Sequence, residues 1–326
     1  MSTGIQWTDE TWNPTSGCDR VSPGCDHCYA MTLAKRLKAM GSPRYQVDGD
    51  PRTSGPGFGV QTHAVALDQP IRWKRPRRIF VNSMSDLFHN DIPDGYIAAV
   101  FAVMAAAPQH TFQVLTKRHA RMRSLLSDRE RFGDLMMAAA RKLHHEGKNY
   151  PADASWRYPL PNVWLGVSVE DQQWADIRIP ALLETPAAVR FLSCEPLLGP
   201  VDLRAHDDGQ HHWLPDYGPQ YDDGSGEPVC PGHGVSRGLH TQAMRCTWID
   251  WVIVGGESGP GARPMNPEWA RSLARQCEDA GIPPFVKQLG ACWARDHGGD
   301  SHGGDWSLWP EDLRVREFPW TPAVAA

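Results

Sequence analysis

The sequence predicts an α/β protein built as a partial or full (βα) barrel of about six parallel strands. Three observations carry this. Short β-branched runs are near-continuously apolar, as strands buried on both faces of a parallel sheet are. Segments with apolar residues at three- and four-residue spacing alternate with them, as crossover helices do. Nearly every run ends in polar residues, and a barrel places its chemistry at the C-terminal strand ends. An open doubly wound sheet has the same periodicity and stands as the structural alternative.

An early strand falls within 5–12, followed by runs at 78–83, 111–116, 163–169, 189–193, 251–256 and 284–288, some of them peripheral to the sheet. The first helix carries Ala30, Leu33, Ala34 and Leu37 on one apolar face and stops at Gly41. Asp91 caps a helix carrying Ile97, Val100, Phe101 and Met104, ended by Pro108. Met122, Leu125 and Leu126, then Phe132, Leu135, Met136 and Ala139, continue the helical spacing. Asn266 and Pro267 open a helix through Leu273 and Cys277, stopped by Gly281. Residues 1–293 are therefore expected to form the barrel domain. A polar insertion at 205–247 interrupts it as a lid or small metal-binding subdomain, and 294–326 form an irregular tail. Residues 41–61, rich in Gly, Pro, Arg and Asp, read as a long loop.

The chain has 326 residues, 41% hydrophobic and 22% charged, an ordinary globular composition. No apolar run approaches the ~20 residues that span a bilayer. The first residues have neither a basic start nor an apolar core, so no signal peptide is expected, and the location predicted is cytoplasmic. In that compartment the eight cysteines read as metal ligands or buried thiols rather than disulfides. The formal net charge of -5 gives no global basic field.

Three cysteines, Cys18, Cys25 and Cys28, fall within eleven residues as C-x6-C-x2-C. Structural zinc and electron-transfer clusters close their coordination with four protein ligands. Three thiolates suit a 4Fe–4S cluster with one open iron; zinc, with His27 or a distant cysteine as fourth ligand, is the rival reading. In the insertion, Cys230, His233, His240 and Cys246 offer a second metal site for zinc, with His206, His211 and His212 as substitutes, against the bland reading of a polar lid. Cys194, Cys277 and Cys292 read as small buried hydrophobes.

The strand ends supply Ser83, Ser85 and Asp86; Thr116 and Lys117; Ser168 and Glu170; Ser193 and Glu195; and Gly255, Gly256 and Glu257. Carboxylates here accept bonds from ribose hydroxyls or an ammonium group, Gly-Gly admits a flat ring or phosphate, and Lys117 and Lys287 hold a carboxylate or phosphate. Taken singly such residues are caps and turns; as a set they read as a cofactor-binding mouth. Two basic clusters, 72–78 and 117–123, suit phosphate contact, or are simply solvated faces.

These strings resemble the radical S-adenosylmethionine superfamily and, more closely, a phage- and prophage-associated family of unknown function within that superfamily's fold group. The shared segments are Trp12-Asn13-Pro14 with Gly17-Cys18, 22–30 around Cys25 and Cys28, 86–89, 114–118, 165–168, 193–197 and 254–259. The superfamily's usual spacing is C-x3-C-x2-C with an aromatic before the third cysteine; here the first gap is six residues and Tyr29 follows Cys28. The resemblance implies a radical-S-adenosylmethionine-like barrel in which Cys18, Cys25 and Cys28 hold a 4Fe–4S cluster and S-adenosylmethionine chelates the open iron. It implies amino-group contacts from Ser83, Ser85 and Asp86, ribose contacts from Ser168 and Glu170, and an adenine or substrate wall at Gly255, Gly256 and Glu257. The expected function is a radical enzyme modifying or repairing a nucleic acid base or nucleotide. An electron-donor protein, and possible association with a further partner protein, complete the expectation, with no membrane. Two alternatives are a metal-stabilised nucleic-acid- or protein-binding module without catalysis, and a cluster enzyme using the cofactor without radicals.

Overall fold

A computed structural model describes residues 3–148, 150, 156–204, 213–214 and 248–319, with the backbone alone at 229–230 and 235–236. The chain forms two compact units, Met1–Ser168 with Glu184–Val189, and Val169–Leu183 with Arg190–Trp320.

The first unit is laid on four parallel strands. β1 (Glu10–Trp12) pairs with β4 (Arg78–Val81), β4 with β5 (Thr111–Thr116), and β5 with β6 (Val163–Ser168). A short antiparallel pair, β2 (Thr15–Ser16) and β3 (Gln61–Thr62), lies outside this sheet. Its helices are α1 (Tyr29–Ala39), α2 (Ala64–Leu67), α3 (Gln69–Arg72), α4 (Asp94–Ala105), α5 (His119–Ser127) and α6 (Arg129–His145). Every residue of β6 is buried, which is why its sequence does not alternate.

Residues Ile97 to Met104 of α4 are all buried, and α4 packs on α6 through an edge-to-face pair, Phe101 and Phe132, 5.2 Å apart. The cap of α4 is Pro93, not Asp91. The Asp91 N–H instead donates to His89 Nδ1, and Asp94 supplies the negative charge of the first turn. The α6 start is capped by Asp128, which accepts from the Arg131 N–H at 3.1 Å.

α1 differs from expectation on one face. Ala30 and Ala34 pack on Tyr45, Phe58 and Met84. Leu33 lies 100° around the helix from Ala34 and is exposed. Gly41 ends the helix with φ 75°. The 41–61 loop folds back on α1: Asp48 accepts from the Gly57 N–H at 2.7 Å and from Lys38 Nζ at 2.5 Å.

The second unit carries three parallel strands, β7 (Val189–Cys194), β10 (Trp251–Gly255) and β11 (Pro284–Gln288), in that order. Its helices are α7 (Gln172–Leu183), α8 (Pro267–Asp279) and α9 (Ala291–His297). Asn266 caps α8 through its side chain, Pro267 follows, Leu273 and Cys277 are buried, and Gly281 has φ 63°. Within the insertion, β8 (Val229–Cys230) pairs antiparallel with β9 (Val235–Ser236). The tail has two single 3-10 turns and is held by Arg316, whose guanidinium lies 4.7 Å from the Trp306 ring and donates to the Lys287 carbonyl at 2.7 Å.

Seven parallel strands, four and three, with helices between them in chain order are the strand set of a partial (βα) barrel, the class the sequence predicts. Among the described residues no helix is long and apolar enough to cross a membrane.

The α4–α6 contact gives a direct test. Phe132 is fully buried against Phe101 and Tyr158. Phe132→Ala is expected to lower unfolding free energy by about 3–5 kcal/mol, read from the urea midpoint; a shift under about 1 kcal/mol contradicts the packing.

Candidate metal centre at the three-cysteine loop

The segment leaving β1 is stitched to the segment leaving β4. Asn13 Oδ1 accepts from the Met84 N–H at 3.1 Å and the Ser83 hydroxyl at 3.2 Å. Thr15 and Ser85 hydroxyls meet at 2.8 Å, and the Gly17 N–H donates to the Met84 carbonyl at 3.1 Å. Strands β1 and β4 are parallel, so this stitch lies at their C-terminal ends and delivers Cys18 there. Gly17 has φ 83°, and a Cβ on it would lie 2.2 Å from the Gly59 carbonyl oxygen. Only glycine fits beneath the 41–61 loop at this point.

The chain then turns through a 3-10 segment, Pro23–Cys25, and Cys28 caps α1. The Tyr29 hydroxyl donates to the Ser83 carbonyl. Both ends of the cysteine loop are thus fastened to one residue, Ser83, through Asn13 and Tyr29. Asp19 fastens the near side: it accepts from Thr53 Oγ1 at 2.6 Å, Ser54 Oγ at 2.9 Å and His89 Nε2 at 2.9 Å. Because His89 Nδ1 accepts from Asp91, the ring proton sits on Nε2. Burial alone would raise the Asp19 carboxyl; the bonds from Thr53, His89 and Ser54 outweigh it and hold it below the ordinary carboxylate value.

Asp86 is buried and fully used. Its Oδ1 accepts from the Thr116 hydroxyl at 2.7 Å and the Phe88 N–H at 3.0 Å, and its Oδ2 from the Lys117 N–H at 3.0 Å. Thr116 Oγ1 accepts in turn from the Arg118 N–H at 2.8 Å. This chain brings Lys117 and Arg118, at the end of β5, to the cysteines. Burial pushes the Cys18 thiol up to about 12, helped by the Asp86 charge, while Arg118 acts in the opposite direction as a charge and hydrogen-bond donor. Cys28 is also raised by burial, offset in part by the first-turn amides of Met31 and Ala30 and by Lys117. Cys25 adds its charge to both neighbours.

All three are free thiols, and Cys18 and Cys28 pack on one apolar base. The donor types are those a thiophilic metal takes, three sulfurs on one loop with a guanidinium and helix amides beside them, but the three side chains are not gathered into a ligating geometry. Buried thiols resist ionisation, and a metal ion supplies the charge that reverses this. Among the described residues no three His, Cys, Asp or Glu side chains stand in metal-ligating geometry.

The structure places the other candidate residues in internal roles. Ser83 and Ser85 hydroxyls position the cysteine loop, and Asp86 and Thr116 position β5. Ser168 is buried at the end of β6. In the second unit, Glu170 pairs with Arg178 at 2.8 Å with both side chains fully buried, and Arg178 lies 4.1 Å from the Trp174 ring. Glu195 pairs with Lys287 at 2.9 Å, and a Cβ on Gly255 would strike Glu195 Oε1 at 2.6 Å. Glu257 holds Arg263 through Oε1 at 2.6 Å and Oε2 at 3.0 Å. A Cβ on Gly256 would lie 2.5 Å from the Leu289 carbonyl, so this glycine serves chain packing. Ser193 is buried, and its carbonyl accepts from the Val169 N–H at 2.9 Å. The side chains of Cys230, His233, His240 and Cys246 lie outside the described residues, as do His206, His211 and His212.

Several arginines of the basic clusters are engaged in ion pairs. Arg72 pairs with Asp68, Arg77 with Glu10 and Arg78 with Asp9, and this run enters β4 at the end opposite the cysteines. Arg121 pairs with Asp94 and Arg123 with Glu184. Asn13, Asp19 and His89 are the site residues that strand-end reading did not single out, while Arg118 falls in the 117–123 basic cluster. The signal for the first two was local: Asn and Asp beside a cysteine at a strand end are loop-fixing residues.

Fold and site together define a class: a parallel α/β protein carrying a three-thiol loop at the C-terminal ends of its strands. The chain belongs to the DUF5131 family, described as a protein of unknown function, whose model matches residues 2–309. No curated protein and no solved structure matches it.

Gly17→Ala is expected to destabilise the protein by at least about 1–3 kcal/mol from its backbone conformation alone, the Gly59 clash adding to this; an unchanged urea midpoint contradicts the loop geometry. The Cys18 thiol sets an alkaline limit in metal-free protein. Its folded value, about 12, lies above the unfolded one, which is near ~8.5. The unfolded chain therefore loses its proton first. Stability is full below the unfolded value and falls as pH rises from it toward the folded one. Cys18→Ser is expected to flatten this fall by up to ~1.4 kcal/mol per pH unit between the two values, measured by urea unfolding across that range.

Proposed function

We propose that this chain is an iron–sulfur, S-adenosylmethionine-dependent radical enzyme acting on a nucleic acid base or nucleotide. The observation that carries the reading is the three-thiol loop itself, fixed at the strand ends with Arg118 and Lys117 beside it. Cys18, Cys25 and Cys28 would hold a 4Fe–4S cluster. Held there, the cluster would supply one-electron reducing chemistry to S-adenosylmethionine. The chain's own part is positional. Asp86 and Thr116 hold the β5 end, the Asn13 and Tyr29 contacts with Ser83 hold the loop, and Tyr45, Phe58 and Met84 give two of the partly buried cysteines an apolar base. In the run at 72–78, Arg72, Arg77 and Arg78 are in ion pairs and the run lies at the strand end opposite the cysteines, so recognition of a phosphate-bearing substrate beside the thiols falls to residues at the cysteine end.

One observation favours a second reading, a metal-stabilised nucleic-acid- or protein-binding module without catalysis. Asp86, Glu170, Glu195 and Glu257 are all engaged in internal pairs, as scaffold residues are.

Anaerobic reconstitution decides between them. The radical reading expects one cubic cluster per chain, a paramagnetic resonance signal that changes with S-adenosylmethionine, and 5'-deoxyadenosine on reduction, all lost in Cys25→Ala. Zinc without iron, or a cluster signal indifferent to S-adenosylmethionine, overturns it.

A further inference from the structure

Asn82, the residue that follows β4, unites three unfavourable features. It holds φ 65°, the one positive value at a non-glycine residue among the described residues. Asparagine tolerates this region best when its side chain bonds locally. Here Nδ2 and Oδ1 both lack a hydrogen-bond partner among the described residues, and the residue is 3% exposed. A buried amide left unbonded is destabilising, and such groups are rare in folded proteins.

The backbone of Asn82, by contrast, is fully used. Its N–H donates to the Trp12 carbonyl at 2.8 Å, and its carbonyl accepts from the Ser85 N–H at 3.3 Å. The conformation is thus imposed by the join between β1 and the turn after β4, and glycine would adopt it without strain. The amide is what asparagine adds. Backbone strain coinciding with an unbonded polar group is a mark of functional positions.

Asn82 stands at the cysteine end of the sheet, next to Ser83, where both arms of the cysteine loop are fastened. On the neighbouring strand Val114 is in parallel register with Val81, so Arg118, which follows β5, lies at the same end. The Arg118 N–H donates to Thr116 Oγ1 at 2.8 Å and its carbonyl accepts from the Met122 N–H at 3.1 Å. Its guanidinium donates toward the Cys18 sulfur, yet Nε is buried and has no hydrogen-bond partner among the described residues. The nearby Asp86 carboxylate is taken up by Thr116, Phe88 and Lys117. A ligand that meets the Asn82 amide and the Arg118 Nε displaces no hydrogen bond from either.

A carboxamide sets a donor beside an acceptor, the pattern a nucleobase edge complements. A guanidinium takes phosphate. Asn82 is buried and Arg118 partly exposed, which orders such a ligand with its base inward and its phosphate outward. We infer that Asn82 and Arg118 form a nucleotide subsite at the ends of β4 and β5, Asn82 reading the base edge and Arg118 holding the phosphate. The inference rests on the nucleotide part of the proposed function and requires no metal.

The test uses the metal-free full chain, so its failure and the failure of the cluster assay are separate results. The probes are the four common ribonucleoside 5'-monophosphates, the matching nucleosides and a short 5'-phosphorylated single strand. Binding is followed by calorimetry and by the Asn82 side-chain amide resonances, assigned through bonds. One monophosphate is expected to bind in the millimolar range or tighter and to shift the Asn82 amide pair. Asn82→Gly is expected to keep or raise the urea midpoint and to weaken nucleoside and nucleotide alike by tenfold or more. Arg118→Gln is expected to weaken the nucleotide tenfold or more and to leave the nucleoside as in the parent. Lys74→Glu with Arg75→Glu, exposed positions at the opposite end of the sheet, is the control and is expected to bind as the parent does. Tighter binding of the single strand than of its monophosphate supports the subsite with a strand as the source of the nucleotide; equal or weaker binding supports it with a free nucleotide. The inference is overturned if no probe moves the Asn82 amide signals, as when a buried water alone satisfies them, or if Asn82→Gly binds as the parent does. Should Asn82→Gly not fold, the amide shifts and Arg118→Gln decide by the same criteria.

Discussion

The Asp86 carboxylate is the contact on which the cysteine end of the first unit depends. It lies in the segment that leaves β4, yet it accepts from Thr116 and Lys117 at the end of β5 and from Phe88 in its own turn. One buried anion therefore ties two strand ends together. Removing it would leave three donors without partners in a buried place, where each unmade bond costs about 1–3 kcal/mol. The neighbouring serines extend the tie to β1 through Asn13 and Thr15. The three thiols stand where they do because of this lattice of short polar contacts, not because of any contact among themselves.

A common logic runs through the strand ends of both units. Each carboxylate there meets a cation or a set of donors from its own unit: Glu170 meets Arg178, Glu195 meets Lys287 and Glu257 meets Arg263. A fully buried pair such as Glu170 and Arg178 adds little net stability over an apolar pair, yet losing one partner is severe. Such pairs specify how segments meet rather than how firmly. Gly255 and Gly256 belong to the same arrangement, since the space a side chain would fill is taken by Glu195 and the Leu289 carbonyl.

Much of the fold was legible because the buried strands announce themselves. The runs at β4, β5, β6, β7, β10 and β11 are apolar throughout, and α8 carries its cap, its proline and its terminal glycine in plain order. α7 escaped notice because Pro180 sits inside it and its buried residues include Arg178, so no apolar stripe marks it. The cap of α4 was misplaced because Asp91 resembles a cap in sequence while its N–H is held by His89. Leu33 looked buried because its spacing from Ala30 and Leu37 is helical; spacing shows that residues share a side, not which side the 41–61 loop will cover. At the site, residue types were readable but partners were not. A strand-end glutamate reads the same whether it awaits a ligand or an arginine many residues away.

The fastening of both arms of the cysteine loop to Ser83 has a consequence for how the motif varies in length. Asn13 and Tyr29 fix the two ends, Asp19 is held by Thr53, Ser54 and His89, and the Arg20 N–H is held by the Thr53 carbonyl. Between Arg20 and the Pro23–Cys25 turn, Val21 and Ser22 are partly exposed and bridge two fixed points. Residues added beside Val21 can bow outward without displacing either flanking thiol, whereas removal would pull on Ser22, whose carbonyl holds the Cys25 N–H. The interval between the first and second cysteines thus has room to lengthen, while the separation of the second and third is fixed by a 3-10 turn and a helix start.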